Sequence, residues 1–243
     1  MTRLYAIRFS HPAIAARLML EHAGIPHEVV DLPLGLHPLM LRRAGFAGGT
    51  VPALVIDGRK IQGSLEISQA IEARGPAGIL FPVDPEARRR VEEAERWAEA
   101  ELQPIPRRLF RWALVRNPGL RRGAARGAGL PLPRLVGALM KPVAARFARA
   151  SHADDASVRR DLERLPAHLD RVDAWIAEGR IGTSSPNAAD FQIATTLRAM
   201  LIMEDLRPAV EGRPGGELAR RILPDFPGNL RSVLPPGWAA PDR

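Results

Sequence analysis

Residues 51–67 read VPALVIDGRKIQGSLEI, and this stretch decides the fold. Ala53–Ile56 is a short apolar run, Asp57-Gly58 a turn pair, and Lys60–Gln62 a second short run. Asp-Gly between two such runs predicts a β-hairpin. From Ser64 the period becomes helical, with Leu65, Ile67, Ala70 and Ile71 on one face through about Ala73. Val51-Pro52 precedes the hairpin, and an X-Pro bond is the one kind that adopts the cis form at modest cost.

Upstream, Leu4–Ile7 reads as a strand ended by the turn-prone Ser10-His11-Pro12. Ile14, Ala15, Leu18 and Met19 then give helical spacing over Ala13–Ala23, with Gly24 as the stop. Pro26 introduces a second strand, Glu28–Leu32, and a short helix is expected at Leu39–Ala44. The order is β-α-β-α-β-β-α.

Downstream, Gly75–Gly78 and Pro82–Pro85 punctuate the chain and read as a linker. Beyond it the pattern is helical, at Glu86–Glu101, Val158–Ile176 and Asn187–Leu201. Asn187, followed three residues later by Asp190, has the spacing of a capping box. Pro118–Pro142, rich in Gly and Pro, gives no clear assignment. The tail from Pro224 carries five prolines and is expected to be irregular but packed through Phe226 and Trp238.

The chain has 243 residues, enough to bury roughly 70–75% of its unfolded surface without covalent staples. Apolar residues make up 46% and charged residues 26%, which excludes wholesale disorder. There is no cysteine, so disulfides, thiolate metal sites and cysteine nucleophiles are excluded. The six histidines are scattered without metal-ligand spacing, and no metal is expected. No apolar run approaches the ~18 residues of a membrane span, and the reading is a cytoplasmic protein.

Charge is concentrated. Gln103–Arg160 holds 13 basic side chains against Asp154 and Asp155, a local balance of +11. The rest carries 22 basic against 25 acidic groups, a balance of −3. Of the 35 basic residues 33 are Arg, a skew that GC-rich coding alone produces. A nucleic-acid role for this segment would bring steep salt dependence. Few aromatics and the Pro/Gly interruptions argue against it.

A β-α-β-α-β-β-α unit linked to a helical unit resembles the cytosolic glutathione transferase superfamily. Val51-Pro52-Ala53-Leu54 is similar to the family's Val-Pro-x-Leu, in which the proline is cis. Gly63-Ser64 followed by Ile67 falls where the family has Glu/Gln-Ser followed by Ala-Ile. Ser10 occupies the slot of the serine or cysteine that opens the first helix, and Asn187 with Asp190 resembles the family's buried capping box. The resemblance covers about residues 3–240, most closely 4–73 and 180–203. Two positions depart from the pattern: Gly63 stands where the family has an acidic or amide residue, with Gln62 adjacent, and Ser-His-Pro replaces Ser-Pro.

The resemblance implies a thioredoxin-like α/β thiol-binding domain at 1–76, a linker at 77–88 and an all-α domain at 89–243. It implies glutathione or another low-molecular-weight thiol as co-substrate, an apolar electrophile, and a homodimer. Serine-type relatives make Ser10 the catalytic candidate. A free thiol is only a few per cent thiolate at neutral pH, and a hydroxyl at a helix N-terminus lowers its pKa. Because nucleophilicity falls with pKa, the net gain is only several-fold, and most acceleration must come from holding the reactants together. The other reading of Ser10 is an ordinary N-cap.

Val51, before Pro52, would pair strand-like with the peptide part of a thiol. Ser64, beside Gly63, would offer a hydroxyl and helix-start N–H groups to a carboxylate. Ser64 is otherwise a plain N-cap. His11 either orients or deprotonates a substrate, or is an exposed turn residue. Tyr5, inside the first strand, reads as core. Arg111, with Arg107 and Arg108, is a candidate for lining the cleft and attracting an acidic substrate. Transfer, isomerisation and peroxide reduction are all open. The alternative is a non-catalytic module on the same fold that holds a hydrophobic ligand or a protein partner.

Overall fold

A computed structural model describes residues 1–127 and 132–238. Residues 128–131 of the unassigned Pro118–Pro142 stretch, and 239–243 of the tail, lie outside the described residues.

The first strand, β1 (Thr2–Ala6), lies between β2 (His27–Asp31), parallel to it, and β3 (Ala53–Ile56), antiparallel. β4 (Arg59–Gln62) completes the order β2-β1-β3-β4. Asp57 and Gly58 both take positive φ, as the hairpin turn requires. Strand alternation sends Leu4 and Leu54 to one face and Tyr5, Ala53 and Val55 to the other. The first face packs under α1 (His11–His22) and α3 (Ser64–Arg74) through Met19, Leu20, Ile67 and Ile71. The second packs under α2 (His37–Arg43) through Leu41 and Phe46, and Tyr5 meets Phe46 edge-on at 5.3 Å.

The chain is irregular from Gly75 to Asp84, and then eight helices follow among the described residues. Asp84 caps α4 (Pro85–Trp97) by accepting from the Ala87 N–H. The expected single helix over Glu86–Glu101 is interrupted: Ala98–Leu102 is a π-helical turn leading into α5 (Pro104–Arg116). The Gly/Pro-rich stretch forms α6 (Pro118–Gly127) and α7 (Pro133–Ala150). Pro118 and Pro133 stand at helix starts, where the missing N–H loses no hydrogen bond, whereas Pro142 lies inside α7.

α8 (Asp155–Ala177) and α9 (Ala188–Leu201) follow, then the short α10 (Arg207–Val210) and α11 (Pro214–Ile222). α9 is buried on every side except at Arg198. Its capping box is complete: Asn187 Oδ1 accepts from the Asp190 N–H, and Asp190 Oδ2 from the Asn187 N–H. Asp190 Oδ1 also accepts from the Gly182 N–H at 2.6 Å, which ties the α8–α9 loop to the core. The same buried core runs from β1 and α1 into α4, α8 and α9, so sheet and helices share one interior. The tail packs back through Phe226, against Ile14, and through Trp238, whose ring lies 5.7 Å from that of Trp112.

Candidate functional site

Register brings three segments to one end of the sheet. Tyr5 pairs with Ala53 and Ala53 with Gln62, so β1 ends where β3 begins and β4 stops. The next residues along each chain segment are Ser10, Val51-Pro52 and Gly63-Ser64. The Gly63 N–H donates to Pro52 O, which holds the second and third segments together.

Ser10 is the N-cap residue of α1, half-buried, with extended backbone. Its hydroxyl makes no capping bond. Pro12 removes one of the two N–H groups a cap would take, so the hydroxyl is left uncommitted.

The Val51–Pro52 bond is cis. Val51 lies outside the strand register, and neither its N–H nor its C=O is bonded among the described residues. A bare donor and acceptor on one residue is half of an antiparallel pair waiting for an extended peptide.

Gly63 adopts φ 101°, a conformation only glycine takes without strain. The space a side chain at this position would fill is taken by the Glu66 carboxylate, folded back across the first turn of α3. Ser64 is buried, and its hydroxyl donates to Glu99 Oε1 at 2.9 Å, reaching into the π-helical turn. Two carboxylates therefore stand at the positive end of α3. Neither Glu66 nor Glu99 is evident from sequence motifs. Glu66 is findable from the i, i+3 spacing that brings it over residue 63; Glu99 is not, because it arrives from another helix.

Gln62 is committed to structure. Its Oε1 accepts from the Gly48 N–H at 2.7 Å, and its Nε2 donates to Gly48 O and Thr50 O. It pins the loop before Val51.

His11 is not the exposed turn residue that one sequence reading expected. It is the first residue of α1 and only 6% exposed, and its Nε2 is buried without a hydrogen-bond partner. Burial, then the charge of Arg107 and more weakly that of Arg111, push its pKa down to about 3 against an opposing hydrogen bond to the Gln103 backbone, so the ring is neutral. Arg107 and Arg111 are both half-buried on α5. Burial lowers both pKa values and their mutual repulsion lowers that of Arg111 further, to about 10. Arg108 does not join them: it pairs with Asp161 of α8 and donates to Ser151 O. Arg111 lies 5.9 Å from the centre of the Phe147 ring, against which His37 of α2 stacks at 5.5 Å. Ser10, His11, α2, α5 and α7 thus frame one region above the end of the sheet.

A cleft of about 330 Å³ lies elsewhere, between the Gly78–Pro82 segment, α4 and the Arg180–Asn187 loop. A smaller one of about 140 Å³ opens beside Arg108, Asp161 and His168. Neither includes Ser10, Val51 or Ser64. The free backbone groups at Val51 and the uncommitted Ser10 hydroxyl locate the candidate site more directly than either concavity. Among the described residues no group of three His, Asp or Glu side chains is arranged to hold a metal ion, and no helix is long and apolar enough to cross a membrane.

Comparison with known proteins agrees with this architecture. Residues 4–78 match the family "Glutathione S-transferase, N-terminal domain". No functionally curated protein matches the sequence. Among solved structures, glutathione transferase F7 from Populus trichocarpa superposes with a TM-score of 0.61 at 15% identity, over 91% of this chain and 93% of that one. The β-etherase LigF from Sphingobium sp. strain SYK-6 gives 0.61 at 14% identity, over 90% and 99%. Glutathione S-transferase isozyme E7 from Drosophila melanogaster gives 0.56 at 16%, over 93% and 88%. At these identities the likeness is one of fold.

Proposed function

We propose that this protein, whose residues 4–78 match the glutathione S-transferase N-terminal domain and whose fold is similar to that of glutathione transferases, is a thiol-dependent transferase. It joins glutathione or another low-molecular-weight thiol to an electrophile. The observation that carries the reading is the pairing of the uncommitted Ser10 hydroxyl with the unbonded Val51 backbone at the same end of the sheet.

In this reading Val51 clamps the peptide of the thiol, and the α1 N-terminus receives its sulfur. Ser10 donates a hydrogen bond to the sulfur, which favours the thiolate as the S–H proton leaves to water. The thiolate attacks the electrophilic carbon. A carbon–sulfur bond forms, and the leaving group departs with its bonding pair or, in an addition, the neighbouring atom takes up a proton. Holding both reactants in line supplies most of the rate. Ser64 and Glu66 receive the amino-acid head of the thiol: the Glu66 carboxylate suits its ammonium, and the helix-start N–H groups with the Ser64 hydroxyl, once released from Glu99, its carboxylate. Domains at 1–76 and 89–243, a cytoplasmic setting and a homodimer belong to the same proposal. Light scattering on the purified protein tests the dimer.

A second reading, a non-catalytic binding module, is favoured by one observation: Ser64 already has a carboxylate partner in Glu99. Calorimetric titration with glutathione and the other common bacterial thiols decides between them. Binding of one thiol, weakened in Ser64→Ala and left without thiolate formation in Ser10→Ala, supports the transferase. Absence of heat with every thiol at millimolar concentration overturns it in favour of the binding module.

A further inference from the structure

Two arginines of α5 stand apart from the other partly buried guanidinium groups. Arg108 has Asp161, Arg180 has Glu93 and Glu178, and Arg213 has Asp170 and Asp173. Arg121, the most buried, donates to the carbonyls of Leu114, Val115 and Gly137. Arg107 and Arg111 have neither carboxylate nor carbonyl within bonding distance among the described residues. They lie one helical turn apart, where i, i+4 side chains meet. Glu99 acts on Arg107, but from beyond ion-pair distance.

Beside this pair sits the His11 ring, buried, neutral and with Nε2 unpartnered. A buried polar nitrogen without a partner and two half-desolvated cations without counter-ions are each costly in the free protein. One oxyanion relieves all three. It would take charge-assisted bonds from both guanidinium groups and, in the tautomer that carries the proton on Nε2, one from His11. Phe147, reached by Arg111 and stacked on His37, supplies apolar surface next to the charge.

We propose that Arg107, Arg111 and His11 form an anion-binding subsite for the second substrate, so that the electrophile is an apolar body carrying a carboxylate. This rests on the transferase reading only in calling the ligand an electrophile. It also replaces the wholly apolar electrophile that the family resemblance implied with an acidic one. Ser10 immediately precedes His11, so a substrate anchored there presents its reactive carbon to the end of α1 where the thiol sulfur is received.

The probe is 4-nitrobenzoate, compared with its neutral isostere 4-nitrobenzamide, titrated into the full-length protein with and without saturating glutathione. A hydrogen bond to a charged group is worth about tenfold in affinity or more, so the carboxylate is expected to bind at least about tenfold tighter than the amide. Arg107→Gln and Arg111→Gln each lose most of that preference, while Arg111→Lys keeps part of it. Equal binding of carboxylate and amide overturns the subsite. So does an unchanged carboxylate affinity in the doubly substituted protein, provided its thermal unfolding matches the parent. Displacement of 4-nitrobenzoate by glutathione overturns the assignment to the second substrate, since the arginines would then hold the thiol's own carboxylate. The readout is binding, so the two ideas fail separately. Carboxylate preference without thiol binding removes the transferase and keeps the subsite; thiol binding without carboxylate preference does the reverse.

Discussion

Ser64, at the start of α3, donates its hydroxyl hydrogen to Glu99 Oε1 at 2.9 Å, so a carboxylate of the helical region occupies the position where a ligand carboxylate would be held. An incoming carboxylate must displace Glu99 or share the site with it, against like-charge repulsion. Glu99→Gln is therefore expected to tighten glutathione binding by about threefold to tenfold, with the gain shrinking as salt is raised. Calorimetry measures it. Weaker binding in Glu99→Gln would instead mean that Glu99 holds the ligand's ammonium group.

The Ser10 side chain makes no bond that stabilises α1, while its backbone carbonyl, which accepts from the Ile14 N–H, survives substitution, so losing the hydroxyl costs little structurally. Ser10→Ala is expected to change thermal stability by less than ~1 kcal/mol, below the cost of losing a formed N-cap. The bound thiol, titrated by the ultraviolet absorbance of its thiolate, should return toward the free value of ~8.5. A thiolate signal identical to the parent's would remove Ser10 from the chemistry.

Two buried groups shape stability against pH in opposite directions. Burial raises the Glu95 carboxyl from its ordinary 4.5 to about 8, against weaker help from Ser68 and Gln192. Its folded form binds the proton more tightly, so stability is complete below about pH 4.5 and falls as pH rises to about 8. His11, lowered from 6.5 to about 3, does the converse: its contribution is complete above 6.5 and is lost as pH falls toward 3. From 6.5 to 8 only Glu95 acts, with a slope of at most ~1.4 kcal/mol per pH unit. Glu95→Gln keeps an acceptor for the Gln192 amide and is expected to flatten that limb. Denaturant midpoints at pH 6.5, 7.5 and 8.5 check it, and parallel curves for parent and variant would refute the assignment.

Asp190 accepts from two backbone N–H groups, Asn187 and Gly182, at a site with no exposure to water. Asp190→Ala orphans both donors and is expected to cost about 2–4 kcal/mol. Thermal unfolding should fall by several degrees, with Asp190→Asn in between because it keeps one acceptor. Equal loss in the two variants would point to the charge rather than to the hydrogen bonds.

The fold was legible because its signals are local. The Asp57-Gly58 hairpin, the Gly24 stop, the Asn187–Asp190 spacing and the helical period after Ser64 depend on backbone dihedrals and on residues three or four apart. Linear sequence records those relations directly. Pro118–Pro142 gives no clear assignment because Gly and Pro count against helix, whereas in the structure Pro118 and Pro133 sit at helix starts and Pro142 is carried inside α7.

The site was only half legible. Ser10, Val51 and Ser64 could be placed at one sheet edge because strand order and register bring them there. What each side chain is free to do depends on partners far away in the chain. Gln62 is spoken for by the loop at Gly48, 14 residues earlier, and Ser64 by Glu99, 35 residues later. His11 is neutral because it is buried and feels the charges of Arg107 and Arg111, about 100 residues later in the chain. The sequence by itself determined which backbone turns and helix starts exist, since those follow from nearest-neighbour sterics and hydrogen bonding. Only the tertiary structure decided which polar groups are satisfied and which are left open, because desolvation and charge pairing are set by what packs alongside.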